Sequence, residues 1–129
     1  MKFLLLLPLL AVILLLANQT PITATETGPR ILNVSTDKNI YHSNEVLSMN
    51  IWFDAPEGSA LLVKGIKDSR GNYKMDIRRN LSSSPERIEF KLSRCNRCSG
   101  LPPGKYDIDL MLISNSGNDT SKVWIELQQ

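Results

Sequence analysis

Cys95 and Cys98 stand three apart in SRCNRCSGLPPGKYDIDL, residues Ser93 to Leu110, and they are the only cysteines in the chain. That spacing admits three chemistries. A redox pair works at a helix N-terminus, where the dipole lowers the first thiol's pKa. Here Ser-Gly-Leu-Pro-Pro-Gly follows, which does not start a helix, although Arg94 and Arg97 would still favour a thiolate. A structural zinc site takes four ligands. The pair and the single His42 supply three, so a metal requires a second chain. A disulfide across a tight turn is the third option. A turn brings residues three apart within about 7 Å, and a disulfide spans Cα atoms about 4.4 to 6.8 Å apart. Oxidation is the default in an exported chain, and closing so short a loop is worth about 2 kcal/mol. A Cys95–Cys98 disulfide is therefore the expected state, with redox or shared-metal chemistry as the alternatives.

Other reactive side chains offer less. Any Ser-His-Asp arrangement must use His42, which sits in IYHSNE beside a turn, and there is no G-x-S-x-G. Asp107 and Asp109 share the outward phase of one run. They lie about 7 Å apart with no glycine-spaced calcium loop, so they read as solvated carboxylates. Arg78, Arg79, Arg87, Lys91, Arg94 and Arg97 form a basic run, but Asp76, Glu86 and Glu89 interleave with it. No catalytic residue, resident metal or cofactor is expected. Trp52 and Trp124 are more telling: both fall on the polar phase of their runs, where a large aromatic is a candidate binding anchor.

The chain opens MKFLLLLPLLAVILLLA, one charge at Lys2 followed by an uninterrupted apolar run. Those are the proportions of a signal peptide, expected over residues 1–24, with an uncleaved anchor as the competing reading. Residues 25–29 read as the end of a Thr-rich linker closing on Gly-Pro. Residues 30–129, about a hundred, are enough for one small domain. Without Lys2 that exported part carries 14 basic (15 − 1) and 13 acidic residues. A general nucleic-acid binder would carry a basic excess, so nucleic acid is excluded as a partner. Asn33, Asn80 and Asn118 head N-x-S/T acceptor tripeptides, as does Asn18, consistent with a secreted or cell-surface glycoprotein.

The elements that must position these groups are strands. Leu47, Met49, Ile51 and Phe53 alternate with residues that are polar apart from Trp52, Met111 and Trp124, and so do Tyr73, Met75 and Ile77; Ile88, Phe90 and Leu92; Tyr106, Ile108, Leu110 and Leu112; and Val123, Ile125 and Leu127. Ile31 to Thr36 is a weaker run. ALLVKGIK, Ala60 to Lys67, loses its phase around Gly65, where a bulge is expected. Turn residues separate the runs. The expectation is an all-β fold, a single immunoglobulin-like antiparallel β-sandwich of about seven strands. In that order Trp52 and Trp124 fall on different sheets and face opposite ways.

TDKNIYHSNEVLSMNIW resembles the opening of macroglobulin-type immunoglobulin-like domains at Asp37, Lys38, Tyr41, Glu45 and Val46, with Ser43 and Asn44 in place of the usual Pro-Gly. LPPGKYDIDL, from Leu101, is similar to the loop and strand near the end of such domains. The resemblance covers about residues 30 to 127 and implies fold and a secreted or archaeal surface location. It does not imply protease trapping, which needs many domains and a Gly-Cys-Gly-Glu-Gln thioester. The functional expectation is a non-catalytic exported surface or envelope binding or structural module, not an enzyme. Its partners would be other surface proteins or glycans, with membrane attachment if the leader is not cleaved. A small CxxC redox or metal-dependent protein, or a carbohydrate-binding module stacking sugars on Trp52 or Trp124, are the alternatives.

Overall fold

The computed structural model describes residues 28–129. The leader expected over residues 1–24, most of the linker and the Asn18 tripeptide lie outside the described residues. Those described are all-β, with no helix among them. Eight strands form: β1 (Arg30–Thr36), β2 (Ile40–His42), β3 (Val46–Asp54), β4 (Ala60–Lys67), β5 (Tyr73–Asn80), β6 (Glu86–Lys91), β7 (Gly104–Ser114) and β8 (Gly117–Gln128). They make a three-stranded sheet, β1-β3-β6, and a five-stranded sheet, β2-β8-β7-β4-β5, which curls into a half-barrel.

Eight strands stand where about seven were expected. The added strand, β2, has three residues and a single inward side chain, Tyr41, too little to show alternation. It runs parallel to β8, Ile40 opposite Glu126 and His42 opposite Gln128. The chain therefore starts in one sheet and switches to the other between Thr36 and Ile40.

Alternation explains the core. Leu47, Met49 and Ile51 from β3 and Ile88 from β6 meet Leu61 and Val63 from β4, Met75 from β5, Ile108, Leu110 and Leu112 from β7, and Ile125 and Leu127 from β8. All are buried. Each such side chain contributes about 1.5–3 kcal/mol when fully removed from water.

Two irregularities matter. In β1 the register slips between Ile31 and Asn33, so Leu32 is an extra residue and points into solvent. In β4 the expected bulge at Gly65 is replaced by something else. Gly65 pairs with Met75 and Lys67 with Tyr73, the same register as the rest of the pair. Ile66 instead takes a left-handed backbone, φ 57, and is buried. A β-branched residue there costs about 1–2 kcal/mol, which burial of its side chain offsets. The twist reverses the alternation beyond it. Lys67 and Tyr73 share the phase of Gly65 and Met75, yet both are exposed. The sequence pattern had put Tyr73 on the apolar face with Met75, and this left-handed residue is why it leaves.

Candidate functional site

The outer face of the five-stranded sheet carries a cleft of about 440 Å³, lined by Lys67 and Tyr73 from one side and Lys105, Asp107, Asp109 and Trp124 from the other. Two further depressions adjoin it. One, about 570 Å³, runs past Lys105 and Trp124 to Ile40 on β2. The other, about 620 Å³, runs past Asp109 and Lys122 to Leu62 and Met111.

Strand register builds this face. Asp107 lies opposite Trp124 and Asp109 opposite Lys122 across β7 and β8. Lys64 lies opposite Asp109 on one side and Asp76 on the other. One row therefore reads Asp76, Lys64, Asp109, Lys122, alternating in charge, as cross-strand pairing favours. The next row brings in the aromatics. Trp124 is 59% exposed, the most exposed large apolar side chain among the described residues, and Tyr73 is 44% exposed.

Cations surround both rings. Lys64 and Lys67 hold Nζ 5.9 and 5.8 Å from the Tyr73 ring centre, and Lys122 holds Nζ 5.8 Å from that of Trp124. Lys122 also reaches Asp107 Oδ2 at 3.5 Å and Asp109 Oδ1 at 3.6 Å. The charge of Asp109, then that of Asp107, holds its ammonium pKa above the ordinary lysine value. The two carboxylates thus share one cation. Among the described residues, Lys64, Lys67 and Lys105 have no carboxylate within 4.0 Å. The local balance is flat rings beside unpaired ammonium groups.

The residues singled out from sequence are scattered around this cleft. Trp124 is its centre. Trp52 is half-buried on the outer face of the other sheet, opposite Asn33. The two tryptophans do face opposite sides. Asn33, Asn80 and Asn118 are all exposed. His42 is exposed and bonded through Nδ1 to Glu45 Oε1 at 3.0 Å. The basic run is divided, Arg78 and Arg79 on β5 and Arg87 and Lys91 on β6, which belong to different sheets. Arg87 pairs with Glu89 at 3.1 Å.

The disulfide clip is not formed here: Cys95 and Cys98 are free thiols. Cys95 is buried, its backbone N–H donating to Ser43 Oγ at 2.8 Å and its thiol to the Leu101 carbonyl at 3.2 Å. Burial pushes its pKa up, away from a reactive thiolate. Cys98 is exposed. The turn anchors Cys95 in the core and leaves Cys98 in water, so spacing alone does not pair them.

Sequence reading missed Tyr73, Lys64, Lys67 and Lys105 as members of one site. They come from β4, β5 and β7, and only the register and the turn at Ile66 bring them to Trp124. The one local signal was Trp124 falling out of phase.

No family model matches the chain, and no curated protein matches it. Among solved structures it is similar to the Pseudomonas fluorescens alkylpurine DNA glycosylase AlkC bound to DNA containing an abasic site analog. The identity is 12% and the TM-score 0.49, over 78% of this chain and 30% of that one. The chain thus spans under a third of that protein's length. That neighbour is bound to DNA, against two expectations: the exported surface or envelope module with its redox and carbohydrate-binding alternatives, and the exclusion of nucleic acid in favour of surface proteins or glycans. Both are withdrawn. The near-neutral total behind the exclusion averages over all faces, whereas binding depends on how charge is distributed. The neighbour's activity is not carried over, since so distant a likeness fixes neither the fold nor the site of this chain.

Proposed function

We propose that this domain is a binding module whose recognition surface is the outer cleft of the five-stranded sheet, and that its ligand is a base-plus-phosphate unit, met as single-stranded nucleic acid. The observation that carries the reading is Trp124, largely exposed beside Tyr73 with Lys64, Lys67, Lys105 and Lys122 around the two rings. An exposed aromatic offers a stacking surface that any base fits, and lysines beside it take phosphates. Binding a single strand by stacking and phosphate contacts needs those two parts and no catalytic group. The elongated run of depressions from Ile40 to Met111 suits an extended ligand better than a compact one.

The architecture we propose is immunoglobulin-like, with two departures from the constant-type order, the first being β2 beside β8 in the larger sheet. In the second, the fifth strand pairs with the fourth in the larger sheet, which widens the outer face that bears the cleft. Export is likewise proposed, supported by the apolar start and the exposed Asn33, Asn80 and Asn118.

Trp124→Ala is expected to weaken binding of a fluorescein-labelled ten-residue oligothymidine about tenfold or more, since a base–aromatic stack is worth about 1–3 kcal/mol. Stability should change by less than about 0.5 kcal/mol, because the ring is exposed. Trp52→Phe, on the opposite face, should leave affinity unchanged. Fluorescence anisotropy measures the first and last, urea unfolding the second. Equal loss from both tryptophan variants, or none from Trp124→Ala, would place the ligand elsewhere.

A further inference from the structure

We infer that Asp107 is the specificity-determining residue of the cleft, selecting a base whose edge carries two adjacent N–H donors, as guanine does. This rests on the cleft reading above. Asp107 lies directly opposite Trp124 across β7 and β8, which places their Cβ atoms about 4.5–5.5 Å apart on one face. A base stacked on Trp124 therefore presents an edge to Asp107. The carboxylate is only half committed: Oδ2 takes the Lys122 ammonium at 3.5 Å, while Oδ1 is covered and has no hydrogen-bond partner.

An ionised carboxylate accepts and never donates. A covered acceptor without a donor is a loss that a ligand edge can repair. Guanine offers N1–H and N2–H₂ side by side. Hypoxanthine keeps only N1–H. Thymine flanks its one N–H with two carbonyl oxygens that face the carboxylate unfavourably. Adenine and cytosine each set a ring acceptor beside the amino group. For a base edge to reach Oδ1, the exposed side chains that line the cleft beside it, Lys105 and Trp124 among them, must change rotamer. Lys67 and Lys105 line the same cleft and take the phosphates on either side.

The test uses fluorescein-labelled oligothymidine ten-mers with thymine, guanine or hypoxanthine at one central position. Binding is read by anisotropy for the wild type, Asp107→Asn and Asp109→Asn. Asp109 shares Lys122 but lies one row from Trp124. The expected result for wild type is guanine about tenfold tighter than thymine, with hypoxanthine between them. Asp107→Asn should bring the three within about twofold while the thymine ten-mer binds as well or better, one negative charge having gone. Asp109→Asn should keep the preference. Three equal affinities in the wild type, or a preference that survives Asp107→Asn, would overturn the role of Asp107 and leave the cleft reading standing. No binding of any ten-mer would overturn both.

Discussion

Tyr41→Ala is expected to destabilise the domain by about 3–5 kcal/mol, the range for removing a buried aromatic ring. In a domain of this size that lowers the unfolding midpoint by some 12 °C or more. Tyr41 is fully buried on β2, between the sheets. Its hydroxyl donates to Asp37 Oδ1 and accepts from the Lys38 N–H at 3.1 Å. Asp37 Oδ1 also accepts from the Ser48 N–H at 3.0 Å, and the Asp37 N–H donates to the Ser48 carbonyl at 2.9 Å. These bonds fix the crossing from β1 to β2 against β3. Tyr41→Phe keeps the ring and loses the hydroxyl, so about 1–2 kcal/mol is expected.

The hydroxyl also predicts a pH dependence. Burial, then the hydrogen bond to Asp37, pushes the Tyr41 pKa up to about 12, against about 10 in the unfolded chain. The folded state holds its proton where the unfolded state has lost it. This contribution is therefore complete below pH 10 and is lost as pH rises from about 10 to 12. Two pKa units correspond to about 2.7 kcal/mol. Tyr41→Phe should flatten the alkaline fall, leaving the part owed to Tyr106, which burial also raises. Urea unfolding from pH 8 to pH 12 reads both proteins, and parallel curves would show that Tyr41 is not the group titrating. On the acid side the sign reverses. The Tyr41 hydroxyl holds the Asp37 pKa down, so its contribution is present at neutral pH and lost as Asp37 protonates.

The second large effect belongs to Gly65. A Cβ there would lie 2.8 Å from Ile108 Cγ1, 2.9 Å from the Asp107 carbonyl oxygen and 2.9 Å from Ile108 Cα. Two of those atoms are backbone of β7, so β4 and β7 must part. Gly65→Ala is expected to cost about 1–3 kcal/mol as overpacking, and Gly65→Val more. Gly28→Ala is the control, since its Cβ meets only the Ser116 carbonyl oxygen at 3.6 Å. The same shift disturbs the cleft. Gly65 precedes Ile66, whose backbone turns Lys67 and Tyr73 outward, and it lies against Asp107, which faces Trp124. Gly65→Ala should therefore weaken oligothymidine binding even where the protein is still folded. Unfolding within about 0.5 kcal/mol of wild type, with affinity unchanged, would mean that this close approach positions nothing.

How far this was legible follows from how local each signal is. The alternation of Leu47, Met49 and Ile51, or of Ile108, Leu110 and Leu112, is carried by neighbours in sequence, so the main strands and most of the core could be read directly. The opposed placement of Trp52 and Trp124 followed from phase and strand order. β2 could not be read, since one buried Tyr41 is no pattern. Tyr73 was assigned inward because nothing in YKMDI reports the left-handed backbone of Ile66 on the neighbouring strand. The cleft was hidden for the same reason: its rings and lysines are distant in sequence and meet through register. The cysteine spacing permits a disulfide, while the contacts of Cys95 with Ser43 and Leu101, which hold it in the core as a free thiol here, come from residues that the spacing does not report.

The most direct measurement is the affinity of wild-type protein for a ten-residue oligothymidine, taken by anisotropy from 20 to 300 mM salt beside a neutral oligosaccharide competitor. Contacts from three or four lysines predict that log K falls with log salt at a slope of about −2 to −3, at about −0.7 per phosphate neutralised. Lys67→Gln and Lys105→Gln should each reduce that slope by just under one, and the neutral sugar should not compete. Binding that ignores salt and is displaced by the sugar would contradict a base-plus-phosphate ligand, and no binding at 20 mM salt would contradict the recognition surface itself.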